Sequence, residues 1–301
     1  MSEASHVEIC QYASENMRAE EVVNLVRQAL LKSAHLTPKP GLLDIRNTGS
    51  HQEVNLTSYK AGVQMMMPWI KKFFVMGHDS AALKPQQVLM MLRPVGIACE
   101  TDILQVNGEV NTHRGAVFAF GLLSAAIGRL TAQNQPIEHT RLCHQVARLC
   151  RNLVERELAS KTGKPGKSET QFLRYGFTGA RGEAESGFRT VRTLALPTFQ
   201  RVIHQTGDTQ LALLQTLLHL MAWNDDSHLV SRGGLEGLYF VQQQAQYLLW
   251  RGGVLAEGGI EELQKLDDEL IERNLSPLGS ADLLAVTWFL SQFPAGPIFI
   301  N

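Results

Sequence analysis

The sequence predicts an all-α protein, folded over residues 1–301 as one multi-helix globular domain. Three observations predict it. Apolar residues recur at helical spacing, as in Val22, Val26, Ala29 and Leu30 or in Leu142, Val146, Leu149 and Leu153. Sustained polar–apolar alternation is missing. Val117–Phe120 has the look of a strand, but the longer run Gly115–Leu130 fits a buried helix better. A chain of 301 residues, 44% of them hydrophobic, is also long enough to bury a large core. Ordinary Gly and Pro contents exclude collagen-like and disordered chains.

In chain order, residues 1–20 are polar and acidic and are expected to be poorly ordered. The first stripe follows, and further helices are expected near 57–75, 86–106, 113–131, 137–159, 197–206, 209–223, 234–251, 259–273 and 280–292. Pro68 should kink its helix or begin a new one. Gly207 followed by Asp208 reads as a helix stop and an N-cap, and Ser280 as the cap of the last helix. The Lys-, Gly-, Ser- and Thr-rich stretch 160–170 is expected to be a mobile loop. Its Gly163-Lys164-Pro165-Gly166-Lys167-Ser168 invites a phosphate-loop reading, which fails on spacing because position 161 is lysine. The motif also needs a preceding strand, and here a helix precedes it.

Charge and composition narrow the function classes. With 28 basic and 29 acidic residues the net charge is −1, so no global field favours nucleic acid or an anionic membrane. The apolar run Gly115–Gly128 falls short of the roughly 20 residues a membrane span requires. The N-terminus carries no signal-peptide pattern, and the four cysteines contain no CxxC pair. Cys143 and Cys150 read as small buried hydrophobes. A cytoplasmic protein is expected.

The connections between helices carry the chemistry. Arg-Gly occurs at Arg114-Gly115, Arg181-Gly182, Arg232-Gly233-Gly234 and Arg251-Gly252-Gly253. The first three precede helix-like runs, where free N–H groups, a positive dipole end and a planar arginine suit phosphate. The fourth follows a helix and reads as a C-cap. Asn111-Thr112-His113-Arg114 is either a ligand loop or a simple N-cap with solvated His and Arg. Glu183 and Glu185 beside Arg181 are either working carboxylates or an exposed acidic first turn. Asp225 and Asp226 are candidate ligands for a hard divalent ion, or ordinary loop formers. Thr37-Pro38-Lys39-Pro40-Gly41-Leu42-Leu43-Asp44 is a rigid entry to a turn, with Asn47, Gly49 and His51 following. His78-Asp79 is a lone dipeptide of the kind seen in metal phosphohydrolases. The histidines form no tight zinc pattern.

Together these segments resemble the 2-(5″-triphosphoribosyl)-3′-dephospho-coenzyme A synthase family, which makes the prosthetic-group precursor of citrate lyase. The matching segments are TPKPGLLD (37–44), LRPVGIACE (92–100), VNTHRGAVF (110–118), TGARGEA (178–184), SRGG (231–234) and ERNLSPLGSADLLA (272–285). They span most of the chain in the family's order. The chain departs from the pattern at Leu278, at Asn224–His228, and at Arg114, Ile45 and Glu53.

The resemblance implies that ATP donates its triphosphoribosyl group to the 2′-hydroxyl of 3′-dephospho-CoA and that adenine leaves. Glu183 and Asp226, each beside a phosphate-binding arginine, are expected to do the carboxylate work, as general acid/base or as ligands of Mg2+ with Asp225, and Asp225 and Glu185 stand in reserve. Substrate binding falls to Lys39, Asp44, His51, Arg93, Asn111, His113, Arg114, Arg181, Ser231, Arg232, Gly233, Gly234, Ser280 and Asp282, from loops lining one cleft. The product would reach an acyl carrier subunit through a separate transferase, with no nucleic-acid or membrane partner. Rival readings are the same reaction serving malonate decarboxylase, a Mg-dependent nucleotide phosphohydrolase, and a catalytically silent nucleotide-binding scaffold.

Overall fold

Two apolar helices lie at the centre of the chain, and everything else is arranged around them. The computed structural model describes residues 17–51, 53–107, 113–159 and 164–296, and among these there is no strand. Helix α4 (Arg114–Ala132) and helix α12 (Leu278–Ser291) bury most of the residues along their lengths. They meet through Phe120 and Phe289, whose rings pack edge to face at 5.5 Å. By length and composition α4 alone among the described helices would suffice to cross a membrane, but 78% of its apolar window is buried inside the protein.

Around α4 pack α1 (Ala19–His35), α2 (Leu56–Asp79), α3 (Pro85–Asn107) and α5 (His139–Leu149). The α2–α4 crossing depends on small residues. A β-carbon on Gly77 would overlap the backbone of Ala125, and one on Gly128 the carbonyl of Phe74. Around α12 pack α1, α8 (Leu196–Thr206), α9 (Thr209–Trp223) and α10 (Ser227–Trp250), and α11 (Gly259–Glu272) lies on α10. One continuous hydrophobic core joins both groups.

The periodic stripes form helices as expected, and the punctuation at 207–208 is realised: Gly207 takes φ 67° and Asp208 accepts from the N–H groups of Gln210 and Leu211. Other expectations are corrected. Helix α2 continues through Pro68, so no new helix begins there. The helix expected over 137–159 stops at Leu149, because Asn152 turns to φ 59° and the Glu185 carboxylate takes the Asn152 and Val154 N–H groups. A π-helical turn, Glu155–Ala159, follows it. The loop expected through residue 170 gives way at Lys167 to α6 (Lys167–Tyr175), and α7 (Gly179–Glu185) follows; residues 160–163 and 1–16 lie outside the described residues. Ser280 does not cap α12. Pro277 holds the cap position, and Ser280 sits in the first turn.

The start of α10 is the largest correction. The sequence predicts the Ser231-Arg232-Gly233-Gly234 segment as a turn opening a helix at 234. Instead α10 begins at Ser227, Ser231 to Gly233 are helical, and the path breaks at Gly234, where φ is 64° and ψ −164°. Glycine adopts that conformation without a β-carbon penalty. Cys99, Cys143 and Cys150 are free and buried, and burial pushes each thiol up to about 12.

Candidate active site

The first turns of α2, α4, α10 and α12 come together at one end of the two central helices. His113, just before α4, donates from Nε2 to the Tyr59 carbonyl of α2 at 3.1 Å, and the two rings stack at 4.5 Å. Gly115 of α4 lies so close to Asp282 of α12 that a β-carbon there would overlap the carboxylate. Asp226, capping α10, reaches across to α12. Its Oδ1 accepts from His228 N at 3.0 Å and Gly279 N at 3.3 Å. Its Oδ2 accepts from Ser280 N at 2.8 Å and Ser280 Oγ at 3.0 Å. One carboxylate therefore serves two helix N-termini, where negative charge is favoured.

Beside this junction is a small recess, about 40 Å³ of it accessible to water. Leu30, Ser33 and Ala34 of α1 and Leu278, Ala281 and Ala285 of α12 form its walls, and Lys39, His51, Tyr59 and Asp282 line it as polar groups. The loop 37–51 that carries Lys39 and His51 is held by two aspartates. Asp44 accepts from the N–H groups of Lys39, Arg46 and Asn47. Asp267 of α11 accepts from Gly41 N, Arg46 Nη1 and Asn47 Nδ2. Gly41, at φ 68°, packs onto the Leu275 carbonyl where no side chain fits.

Electrostatics single out two groups in the recess. Lys39 is 4% exposed and its Nζ makes no ion pair or hydrogen bond with a described residue; burial lowers it to about 8, against the opposing pull of Asp44. Asp282 likewise makes no hydrogen bond with a described residue. Burial, and then the Asp226 charge, raise its carboxyl to about 8. His51 is held on both ring nitrogens. Arg232 Nη2 donates to Nδ1 at 3.3 Å, so Nε2 carries the proton and donates to Ser276 Oγ at 2.9 Å. Burial, then the nearby Arg232, keep His51 neutral, down to about 4. Burial lowers His113 to about 4 as well. It also raises the Tyr59 hydroxyl, an effect reinforced by Asp282.

The remaining expected site residues are placed elsewhere or already engaged. Arg232 gives its Nη1 to the Ser50 carbonyl and to Asn274, so it braces the loop. Ser231 Oγ donates to the Ser227 carbonyl and accepts from Gln171. Gly233 packs against Leu275, and Gly234 faces open space. Arg181 and Arg93 share Glu157, with Arg181 Nε 2.8 Å from it, and Arg114 pairs with Glu100 at 3.0 Å. The three arginines of the Arg-Gly turns are thus held by three different partners. Glu183 accepts from Thr190 Oγ1 at 2.6 Å and Thr190 N at 3.2 Å, and burial raises it. Asp225 is exposed. Asn111 lies outside the described residues.

A protein-held magnesium ion at Glu183, Asp226 and Asp225 does not fit this arrangement. Both oxygens of Asp226 are occupied by N–H and O–H donors, and Glu183 is taken up by Thr190. Among the described residues no three His, Cys, Asp or Glu side chains are grouped to hold a metal. Sequence reasoning missed Tyr59, Asp267, Glu157 and Thr190. None lies in a loop motif; Tyr59, Asp267 and Glu157 meet their partners through tertiary packing, and Thr190 reaches Glu183 from seven residues on.

Comparison with known proteins agrees over nearly the whole chain. Residues 19–297 match the family model described as ATP:dephospho-CoA triphosphoribosyl transferase. A 2-(5''-triphosphoribosyl)-3'-dephosphocoenzyme-A synthase of Klebsiella pneumoniae is 66% identical over 284 residues, covering 94% of each chain. Proteins of the same name from Escherichia fergusonii and Pectobacterium atrosepticum are 58% and 48% identical, over 96% and 89% of this chain and 96% and 88% of their own. No solved structure matches. With the family model matched over residues 19–297 and a relative 66% identical over 94% of the chain, this protein belongs to the ATP:dephospho-CoA triphosphoribosyl transferase family, enzymes of the pentosyl-transferring kind.

Proposed function

We propose that this chain transfers the 5-triphosphoribosyl group of ATP to the 2′-hydroxyl of 3′-dephospho-CoA, releasing adenine, and that the product serves as the prosthetic-group precursor of citrate lyase. The observation that carries this reading is the recess at the helix starts, whose mostly apolar wall includes both an unpaired cation, Lys39, and an unpaired carboxyl, Asp282. A triphosphate needs the first and a proton-transfer step needs the second. The transfer breaks an N-glycosidic bond and leaves the phosphate chain intact. It requires orientation, a cationic clamp and a proton path rather than an attack on phosphorus.

In this assignment Lys39 faces the triphosphate from the recess. A charge-assisted contact to phosphate there contributes more than the same contact in water, because the surroundings are desolvated. His51, fixed by Arg232 and Ser276 in its Nε2–H form, is a neutral wall of the site. Gly234, open to solvent and free of a side chain, is left as an approach for the larger substrate. Any magnesium arrives on the phosphates of ATP as part of the substrate. The product passes to an acyl carrier subunit through a separate transferase, and the reaction takes place in the cytoplasm.

The test is product analysis. Incubated with ATP and 3′-dephospho-CoA, the protein should release adenine in equal amount to a product whose mass is their sum less adenine. Release of phosphate or pyrophosphate without adenine would instead identify a nucleotide phosphohydrolase and overturn the assignment. Supplying the product, the separate transferase and either apo citrate lyase or apo malonate decarboxylase carrier subunit separates the two downstream uses.

A further inference from the structure

We propose that Asp282 is the catalytic acid–base of the transfer, giving its proton to the departing adenine and then taking the proton of the attacking 2′-hydroxyl. This rests on the pentosyl-transfer reading above and assigns the proton path within it.

The inference starts from a contrast between carboxylates. Asp44, Asp226, Asp267, Glu183 and Glu185 each accept two or more hydrogen bonds from the protein. Asp282 accepts none from a described residue, yet it lines the recess and is partly buried in the first turns of α12. A desolvated carboxyl with no partner is costly, and such groups persist where a ligand uses them. The position is also protected sterically. Gly115 on α4 leaves the space that its carboxylate fills, since any β-carbon there would collide with Oδ2.

The surroundings fix the protonation state. The charged and titratable groups toward Asp282 are Asp226 from α10, Tyr59 from α2, Lys39 and His51 from the 37–51 loop, and His113 before α4. Tyr59, His51 and His113 are neutral near pH 7, because burial moves each away from its charged form. Burial and Asp226 raise Asp282 to about 8, so it enters the reaction as the neutral acid.

The step then balances. The bond from ribose C1′ to adenine N9 breaks with its electron pair going to the base, which takes the Asp282 proton on a ring nitrogen. The acceptor 2′-oxygen bonds to C1′ and passes its own proton to the Asp282 carboxylate. The carboxyl is restored, one hydroxyl proton has moved to adenine, and nothing is oxidised or reduced.

The experiment measures adenine release from ATP and 3′-dephospho-CoA by the full chain and by Asp282→Asn, across pH 6–9.5. The variant should lose about 100-fold or more in kcat, the contribution expected of a positioned acid–base group, with the KM for ATP within about threefold. Wild-type kcat should fall above about pH 8, where the acid form is lost, and the residual activity of the variant should lack that limb. An N7-methylated ATP, whose base leaves without needing a proton, should narrow the gap between the two proteins at least tenfold. If Asp282→Asn does not fold, Asp282→Ser is assayed the same way. Near-normal turnover by a folded variant, or an alkaline limb that survives in it, would overturn the proposal. Absence of adenine from the wild type itself would overturn the functional reading instead.

Discussion

The charged residues of this protein fall into two regions that treat charge in opposite ways. Along α3, α7, the π-helical turn and the first residue of α4, arginine and glutamate are matched: Arg93 and Arg181 on Glu157, Arg114 on Glu100. In the recess, Lys39 is buried, Asp282 is partly buried, and both are left without partners among the described residues. Both regions contain residues of the kind a nucleotide site needs. The difference teaches that residue type marks candidates, while unsatisfied bonding capacity marks the place where a ligand completes the structure. A matched arginine must break its ion pair before it can hold phosphate, whereas Lys39 has nothing to give up.

The largest expected effect tests the saturated side of that contrast. Asp226→Asn puts an NH2 group among four donors, so buried N–H groups of α10 and α12 lose their acceptor. We expect a loss of about 3–5 kcal/mol in urea unfolding, from roughly 1–3 kcal/mol for each unsatisfied buried group. A stable variant that has lost turnover instead would return Asp226 to catalysis and break the comparison.

Acidification should come next. His51 and His113 are neutral in the fold and held down to about 4, against about 6.5 when unfolded. A depressed base contributes stability above its unfolded value and loses it as pH falls toward the folded one. Between pH 7 and pH 5 the two histidines should therefore cost the fold roughly 3–4 kcal/mol, offset by roughly 2–3 kcal/mol from Asp282, so the urea midpoint of Asp282→Asn should fall further than that of the wild type. Asp282 has the reverse sign. Its raised carboxyl favours the fold fully below about 4 and loses that advantage as pH rises through about 8, so Asp282→Asn should be more stable than wild type at pH 8 and equal to it at pH 4.

Lys39→Met should weaken ATP binding by about 2 kcal/mol, roughly 30-fold, the worth of a hydrogen bond to a charged group. Calorimetric titration would show it, with the urea midpoint unchanged or higher. Arg114→Ala and Arg181→Ala should each cost less than about 1 kcal/mol in stability, as partly exposed ion pairs do, and leave ATP affinity within threefold. A hundredfold loss of affinity in either would place phosphate among the matched arginines and reverse the contrast between the regions.

How much of this was legible in the sequence depends on range. Stripes such as Val22–Leu30 and the Gly207-Asp208 punctuation report local forces, and the helices they mark are there. The start of α10 was not legible, because Arg232-Gly233-Gly234 has turn composition while the capping residue, Asp226, lies further upstream. The motifs named Lys39, His51 and Asp282, which line the recess. They also named Glu183 and Asp226, whose carboxylates are already occupied, the first by Thr190 seven residues on and the second by the distant first turn of α12. Hydrogen bonds spanning 53 and 54 positions leave no periodicity to read.

Because a single carboxylate closes the starts of both α10 and α12, neither end can fray alone. Opening either first turn pulls Asp226 from donors on the other, so the amide protons of His228, Gly279 and Ser280 belong to one opening event. Their hydrogen-exchange rates should rise and fall together under denaturant. The wall of the recess that carries Asp282 would then stay rigid until a much larger part of the molecule lets go, and substrates would meet a surface whose shape does not fluctuate from one encounter to the next.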